Sequence, residues 1–195
     1  MTNLSDLKAD LRKAAFAARK EAFAEAARAV PAATRALLSE IGAPEGRVVS
    51  GYMPIRTELD PVPAMAALHA MGARICVPVI VDRGLPLDFR EWRPGVEMAE
   101  GPFGAMIPQT GKWLTPDTLI VPLVAFDRRL NRLGYGGGFY DRTLARLRGA
   151  APRAGASPVR AIGFAFAAQE VHELPADATD QPLDALVTEM GVLHP

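Results

Sequence analysis

The segment richest in residues that can do chemistry is a glycine loop with the sequence RLGYGGGFYDR, residues 132–142. Four of its five residues from 134 to 138 are glycine, which permits positive φ and close approach of backbone N–H groups to an anion. Arg132 and Arg142 add bidentate donors for phosphate, and Asp141 is a candidate ligand for a divalent metal that itself contacts phosphate. A flexible turn is the alternative interpretation. The loop is neither a Walker A nor a dinucleotide-binding motif, because the lysine and hydroxyl of the first and the GxGxxG spacing of the second are absent.

Three cations near the N-terminus are candidates to reach the same ligand. Lys8, Arg12 and Arg19 occupy neighbouring positions on one face of a predicted helix, beside its apolar stripe rather than opposite it. The alternative is a basic edge that faces only solvent.

Carboxylates in two other segments are also candidates. Glu58 follows a predicted strand, and ligands collect at the C-terminal ends of strands in open α/β sheets. Its carboxylate can accept hydrogen bonds from an amino-substituted heterocycle, unless it is simply an acid on a surface loop. Asp180 or Asp184 is a candidate to join Asp141 around Mg²⁺, which is commonly held by one or two carboxylates with water and phosphate oxygens. A solvated acidic loop is the alternative.

Several other kinds of active site are disfavoured. His69, His172 and His194 are far apart in the sequence, and neither HExxH nor GxSxG occurs. Cys76 is predicted to be a buried thiol, because it lies inside an apolar run. Nothing in the sequence indicates covalent catalysis.

The elements that must position these residues alternate between helices and strands. A helix from residue 4 is expected to end or be interrupted at Pro31, and the other predicted helices cover 32–41, 60–71 and 139–148. The predicted strands cover 47–55, 73–81, 87–92, 118–126, 159–166 and 185–187. Continuous apolar runs at 73–81 and 118–126 are typical of strands covered on both faces in a parallel sheet. The pattern predicts an α/β protein, residues 1–195 forming a single-domain three-layer α/β/α fold with a mainly parallel central sheet.

Two stretches rich in Gly and Pro separate these elements. Residues 149–158 are predicted to be a linker. Residues 93–116 show no clear period and are predicted to be a long ordered excursion, our candidate for a loop that closes over ligands.

Length and charge limit the classes of function. The chain has 195 residues with 22 basic and 22 acidic side chains, so its formal net charge is zero at pH 7. This balance argues against a general polyanion binder, because affinity for nucleic acids depends on Lys and Arg that neutralise phosphates. The apolar runs are too short to cross a bilayer, the N-terminal segment lacks the features of a secretory signal, and a single cysteine excludes an internal disulfide. We expect a cytoplasmic protein, monomer or homodimer, with no nucleic-acid or membrane partner.

Over essentially its full length the chain resembles the 5-formyltetrahydrofolate cyclo-ligase family, also called methenyltetrahydrofolate synthetases. The resemblance rests on PLVAFD at 122–127, followed by RLGYGGGFYDR at 132–142. Supporting pieces occur in the family's order: Lys8-x-x-x-Arg12, then Tyr52-Met53-Pro54 with Glu58 and Asp60, then Asp180-x-x-x-Asp184 with Val187-Thr188-Glu189. Some members carry Arg at the position of Tyr135 and Lys at that of Gly137, and 128–131 lacks the glycine often found before the motif's arginine.

The resemblance implies a role for each matching residue. The implied ATP-binding residues are Lys8, Arg12, Arg132, Leu133, Gly134, Tyr135, Gly136, Gly137, Gly138, Phe139 and Tyr140. The implied folate-binding residues are Met53, Glu58, Tyr135, Gly136, Gly137, Gly138 and Phe139. Asp141 and Asp180 match the magnesium positions, and Arg132, Tyr140 and Asp141 are the implied catalytic residues.

The reaction implied by the resemblance is a cyclisation that consumes ATP. ATP phosphorylates the formyl oxygen of 5-formyltetrahydrofolate, N10 attacks the activated carbon, and phosphate leaves. The products are 5,10-methenyltetrahydrofolate, ADP and phosphate. Two alternatives stay open: a non-catalytic protein that binds folate or nucleotide, and an ATP-dependent enzyme acting on another small carbonyl substrate.

Overall fold

The computed structural model describes residues 4–150 and 158–195. Its helices are α1 (Leu4–Phe23), α2 (Ala26–Ile41), α3 (Val62–Ala70) and α4 (Phe139–Gly149), with 3₁₀ turns at Pro102–Gly104 and Ala167–Gln169. Its strands are β1 (Val48–Ser50), β2 (Arg74–Val79), β3 (Asp88–Trp92), β4 (Met98–Glu100), β5 (Met106–Pro108), β6 (Thr118–Val121), β7 (Ala125–Phe126), β8 (Arg132–Leu133), β9 (Arg160–Phe164), β10 (Ala185–Thr188) and β11 (Gly191–Leu193). Most of the predicted linker, residues 151–157, lies outside the described residues.

Seven strands form the central sheet, in the order β11-β10-β9-β6-β1-β2-β3. The five inner strands are parallel, and the two edge strands, β3 and β11, run antiparallel to their neighbours. All four residues of β6 are buried, because helices cover both faces of the sheet at this position. The predicted fold class, with a mainly parallel central sheet, is confirmed.

The helices form two outer layers. Leu37 of α2 and Met65 of α3 pack in one core with Ile120, whereas Leu144 of α4 packs in the core on the opposite face. Helix α1 joins a smaller core that contains Leu133, and Ala22 near its end packs against the core of α2 and α3. Within the part of the chain that the structure describes, no helix has the length and apolar character needed to cross a membrane.

The prediction that Pro31 ends or interrupts the first helix is wrong. The break lies at Ala24 and Glu25, which make turn hydrogen bonds of 3.1 and 3.0 Å to the carbonyls of Glu21 and Ala22. Pro31 lies inside α2. Its ring removes one helical hydrogen bond, but the buried face of α2 holds the helix together across this point.

Several predicted strands are shorter in the structure. Strand 47–55 is regular only in β1, because the chain then turns back and the Tyr52 hydroxyl donates to the Leu59 carbonyl at 2.6 Å. Strand 118–126 divides at Pro122 into β6 and β7. The 93–116 excursion contains the antiparallel hairpin β4–β5, and β11 was not predicted. Strands of three residues offer too few positions for a period to show in the sequence.

The sheet has a topological switch point between β1 and β6. These neighbours are parallel, but the chain leaves β1 through α3 toward β2 and leaves β6 through α4 toward β9. Because the two connections run to opposite sides, the loops that follow β1 and β6 separate and leave a crevice at the C-terminal ends of the strands.

Candidate functional site

A cleft of about 1440 Å³ occupies this crevice. Met53 after β1, Ile80 after β2 and Pro122 after β6 line its floor, and Met106 and Ile107 of β5 line it from the hairpin. The cleft also holds every residue that the family resemblance implied for nucleotide, folate or metal: Lys8, Arg12, Met53, Glu58, Arg132, Leu133, Gly134, Tyr135, Gly136, Gly137, Gly138, Phe139, Tyr140, Asp141 and Asp180. Segments that lie far apart in the sequence therefore meet at one surface.

The glycine loop is held at its base by a buried carboxylate. Asp127 Oδ1 accepts hydrogen bonds from the backbone N–H groups of Arg129 and Asn131, each at 3.0 Å. Its Oδ2 accepts from Asn131 Nδ2 and from the Leu174 N–H, both at 3.0 Å. The last residue of the PLVAFD motif thus fixes the hairpin β7–β8, which carries the loop into the cleft.

Two glycines of the loop have a backbone conformation that other residues rarely adopt. Gly136 has φ +97° and Gly138 has φ +63°. A Cβ atom on Gly138 would lie 2.7 Å from Arg142 Nη1, and one on Gly136 would lie 3.4 Å from Arg12 Nη2. Since α4 begins at the next residue, Phe139, the loop sits at a helix N-terminus, where free N–H groups favour an anion.

Arg132 and Asp141 form a fixed pair at the start of α4. Arg132 Nη2 lies 2.5 Å from Asp141 Oδ1, and Arg132 Nη1 donates to the Gln181 carbonyl. The Gln181 N–H donates to the same Asp141 oxygen at 3.0 Å. The loop, α4 and the segment before β10 are joined at this point.

The cations of α1 lie against the cleft. Lys8 Nζ donates to Asp180 Oδ2 at 3.0 Å and to Asp177 Oδ2 at 3.2 Å, and Arg12 Nε donates to the Gly134 carbonyl at 2.9 Å. Hydrogen bonds from Thr179 and from Lys8 lower the pKa of Asp177 to about 2. The interpretation of this helix edge as a purely solvated basic surface is therefore wrong.

Glu58 is buried, so its interpretation as a surface-loop acid is wrong too. Its Oε1 accepts from the Tyr135 hydroxyl and its Oε2 from the Ile55 N–H, both at 2.9 Å. Arg19 Nη1 lies 4.0 Å from Oε1. Burial raises the pKa of Glu58, while these hydrogen bonds and the charge of Arg19 act in the opposite direction.

Three tyrosines line the cleft as neutral hydroxyls. Burial raises the pKa of Tyr135 to about 12, and it also raises the pKa values of Tyr52 and Tyr140 well above the ordinary range. The Tyr140 hydroxyl is buried and has no hydrogen-bond partner among the described residues. It is available as a donor to a bound ligand.

The carboxylates fit a magnesium ion that is shared with phosphate. The hydrogen bonds of Asp141 are made to Oδ1 and those of Asp180 to Oδ2. The second oxygen of each carboxylate is left to bind a metal ion. Among residues 4–150 and 158–195 no group of three or more His, Cys, Asp or Glu side chains forms a metal cage, and Mg²⁺ commonly needs only one or two carboxylates. Asp184, the predicted alternative to Asp180, does not line the cleft. Its carboxylate accepts instead from Arg148 Nη2 and from the Ala161 N–H, each at 2.7 Å.

Some lining residues were not anticipated. Arg56 and Arg83 at the rim belong to no local motif, so only long-range folding brings them to the cleft. Met106 and Ile107 of the hairpin belong to the 93–116 excursion, which was the predicted loop over the ligands, but the sequence did not single them out. Arg56 has φ +56°, an uncommon value for a residue other than glycine.

The comparisons with known proteins agree with this geometry. A model of the 5-formyltetrahydrofolate cyclo-ligase family matches residues 4–189. The 5-formyltetrahydrofolate cyclo-ligase of Mycolicibacterium smegmatis is 31% identical over 153 residues, 73% of this chain and 74% of that protein. The enzyme of that name from Escherichia coli is 34% identical over 150 residues, 74% of this chain and 79% of that protein. The NMR structure of Aquifex aeolicus 5,10-methenyltetrahydrofolate synthetase superposes with a TM-score of 0.75 at 28% identity, covering 96% of this chain and 92% of that one.

Proposed function

Because the chain belongs to the 5-formyltetrahydrofolate cyclo-ligase family, we propose that it cyclises 5-formyltetrahydrofolate to 5,10-methenyltetrahydrofolate at the expense of ATP. The observation that carries the proposal is the single cleft, which brings a phosphate-type loop, two carboxylates and the buried Glu58 together. At about 1440 Å³ it exceeds the usual range for one small ligand. It has room for a nucleotide and a folate side by side.

The loop, α1 and the start of α4 form the nucleotide half. Arg12 and Arg142 flank the glycines, bonding to the carbonyls of Gly134 at 2.9 Å and Gly137 at 2.7 Å. These guanidinium groups supply the positive charge that some members of the family carry within the loop itself. Lys8 adds an ammonium group beside Asp180.

The other half of the cleft binds the folate. Met53 offers an apolar surface for a flat ring, and the Glu58 carboxylate accepts hydrogen bonds from the amino and ring N–H groups of the pterin. Because Glu58 is buried, a ligand that covered its carboxylate without donating a hydrogen bond would be costly. This favours an amino-substituted heterocycle over a simple carbonyl substrate.

Asp141 and Asp180 would hold Mg²⁺. A bound ion there neutralises the charge of the phosphate oxygens, which phosphoryl transfer requires together with accurate positioning. Arg132 fixes the orientation of Asp141 through its 2.5 Å contact. Lys8, already bonded to Asp180, reaches the same phosphates.

The residues of the chain contribute positioning rather than covalent chemistry. The γ-phosphoryl group moves from ATP to the formyl oxygen, and ADP leaves. N10 then forms a bond to the formyl carbon and loses its proton, and the former formyl oxygen departs with the phosphate. The buried Tyr140 hydroxyl and the glycine N–H groups are donors that can hold phosphate oxygens while the apolar hairpin limits the access of water.

The experiment that tests the proposal follows the methenyl product by its near-ultraviolet absorbance. Purified protein is mixed with 5-formyltetrahydrofolate, ATP and Mg²⁺, and each component is omitted in turn. We expect absorbance to grow only in the complete mixture. Calorimetry that shows ATP binding without product would contradict the proposed second substrate. Binding of both ligands without turnover would favour the non-catalytic alternative.

A further inference from the structure

A buried cation, Arg19, lies behind the ligand-facing surface of the cleft. Its side chain is only 1% exposed, although arginine is rarely fully buried unless it is paired. The guanidinium packs beside two adjacent aromatic rings, 5.2 Å from the centre of Phe16 and 5.6 Å from that of Tyr135. Arg19 is not among the residues that line the cleft, so it acts on a ligand only through other groups.

The hydrogen bonds of Arg19 are incomplete. Its Nε donates to Thr57 Oγ1 at 3.1 Å. Its Nη1 is buried and has no hydrogen-bond partner in the described part of the chain. That atom faces Glu58 Oε1 at 4.0 Å, which is too long for a hydrogen bond but close enough for strong attraction between buried charges.

The same carboxylate oxygen is bonded to a different residue. The Tyr135 hydroxyl donates to Glu58 Oε1 at 2.9 Å, and Tyr135 is 40% exposed at the cleft surface. A ligand that meets Tyr135 and Glu58 can displace this hydroxyl. The Nη1 donor of Arg19, 4.0 Å from the same oxygen, can then take its place.

We propose that Arg19 is a positioning residue for folate binding, which keeps the buried Glu58 carboxylate ionised and oriented toward the ligand. The inference rests on the proposed function, in which Glu58 receives the pterin. Thr57 accepts from Nε, the adjacent rings of Phe16 and Tyr135 pack against the guanidinium, and Nη1 faces Glu58.

Other charged and titratable groups also face Glu58. They are Arg56, Tyr52, Tyr135 and Tyr140. The tyrosines are neutral, and Arg56 is exposed, so water screens its charge. Burial raises the pKa of Glu58 and the Arg19 charge opposes that rise. Removing the charge therefore favours the protonated carboxyl, which is a poorer acceptor for the ring N–H groups.

The test compares Arg19→Gln, Arg19→Lys and the exposed control Arg28→Gln. Calorimetry measures the Kd for 5-formyltetrahydrofolate and for ATP between pH 5 and 8. For Arg19→Gln we expect the folate Kd to rise about tenfold or more, the ATP Kd to stay within about twofold, and the acidic loss of folate affinity to move to higher pH. Arg19→Lys keeps the charge and restores that pH profile, whereas Arg28→Gln, 86% exposed in its side chain, behaves like the wild type.

A double-mutant cycle separates action through Glu58 from a general structural effect. In a Glu58→Gln background, Arg19→Gln should change the folate Kd by no more than about twofold. The double variant also removes both buried charges, so it is expected to fold even where Arg19→Gln alone leaves an unpaired carboxylate and is unstable. If Arg19→Gln raises the folate Kd by the same factor with and without Glu58→Gln, the inference is overturned.

The failure of this inference differs from that of the proposed function. A wild-type protein that binds no folate contradicts the function itself. A wild-type protein that binds folate, with an Arg19→Gln variant of equal affinity and an unmoved acidic limb, refutes only the role of Arg19. A lower melting temperature of Arg19→Gln, with no change in folate affinity or in its pH dependence, would also refute only the role of Arg19.

Discussion

Two carboxylates of the cleft, Glu58 and Asp177, differ in pKa because their surroundings differ. Glu58 is buried and its pKa is raised, whereas Asp177 is exposed and hydrogen bonds from Thr179 and Lys8 lower its pKa to about 2. Asp141 is tied to Arg132 and to a backbone N–H. Glu58 is thus a buried acceptor, Asp177 is an exposed negative charge, and Asp141 is a carboxylate held in a fixed orientation.

For Asp141→Asn we expect turnover at saturating folate to fall by roughly two orders of magnitude, the scale for losing one preorganised electrostatic group. The amide oxygen can still accept from Arg132 and Gln181. The Tm should therefore fall by less than about 4 °C, since about 1 kcal/mol shifts Tm by roughly 2–4 °C at this length. The absorbance assay and a thermal melt measure the two effects. A loss of folded protein in proportion to the loss of activity would make Asp141 structural.

For Glu58→Gln we expect the folate Kd to rise about 10- to 100-fold, the range for a hydrogen bond to a charged group, with kcat less affected. The ionised carboxylate is the acceptor, so wild-type affinity is present above the raised pKa of Glu58 and is lost as the pH falls through it. The loss begins at a higher pH than for an exposed glutamate, because the pKa lies above 4.5. Calorimetry at a series of pH values should show that the folate affinity of the wild type falls at acidic pH, whereas that of the variant does not change. Equal folate affinities would remove Glu58 from the pterin site.

At the scale of elements, the site depends on one tight connection, from β8 through the glycine loop into α4. Asp127 anchors its start through four hydrogen bonds, and the Arg132–Asp141 pair anchors its end. The positive φ values of Gly136 and Gly138 lie between these anchors. A rigid loop of this kind presents N–H groups without further ordering when an anion binds.

The element-scale prediction compares two substitutions of glycine by alanine near α4. Gly138→Ala places a Cβ 2.7 Å from Arg142 Nη1 at φ +63°, and the left-handed conformation costs about 1–2 kcal/mol. We expect a rise of the ATP Kd by about 5- to 30-fold. The control Gly149→Ala, with nothing within 4 Å of its Cβ, should leave ATP affinity unchanged and raise stability slightly. Equal ATP affinity of the Gly138 variant and the control would show that the loop conformation does not matter for binding.

At the scale of the molecule, the cleft exists because the connections from β1 and β6 diverge. It is completed by contacts between distant segments, such as that of Lys8 with Asp180, which are 172 positions apart. The segments that meet there belong to α1, the loop after β1, the hairpin β4–β5, the glycine loop and the segment before β10. A ligand that contacts several of them stabilises the whole fold.

We therefore expect ligands to raise the melting temperature. At a free concentration of 100 times its Kd, a ligand of the folded state adds about 2.7 kcal/mol, which corresponds to roughly 5–10 °C for a chain of this length. Thermal melts with Mg-ATP, with 5-formyltetrahydrofolate and with both measure the effect. Inorganic phosphate at equal concentration is the control for a general anion effect. An unchanged Tm with a folate shown by calorimetry to bind would place its site outside the cooperative fold.

The sequence predicted most of the local structure, and the residues that it indicated by family resemblance meet in one cleft. Apolar runs predicted the buried strands, and the glycine loop before a helix indicated a phosphate-type motif. Both are local patterns. The ends of β1 and the hairpin β4–β5 were not predicted, because their form depends on contacts such as Tyr52 with the Leu59 carbonyl. The division of 118–126 at Pro122 and the position of Pro31 within α2 likewise follow from packing with other segments.

By itself the sequence determined the α/β order and the residue types of the candidate site, since these are properties of period and spacing, and its motifs resemble those of one family. Only the tertiary structure decided which alternatives hold. It buried Arg19 and Glu58, which the sequence left open as surface groups, and it directed Asp184 to Arg148 while Asp180 stayed in the cleft. The physical reason is that burial and charge pairing depend on neighbours far away in the chain, and the spacing of residues along one segment carries no record of them.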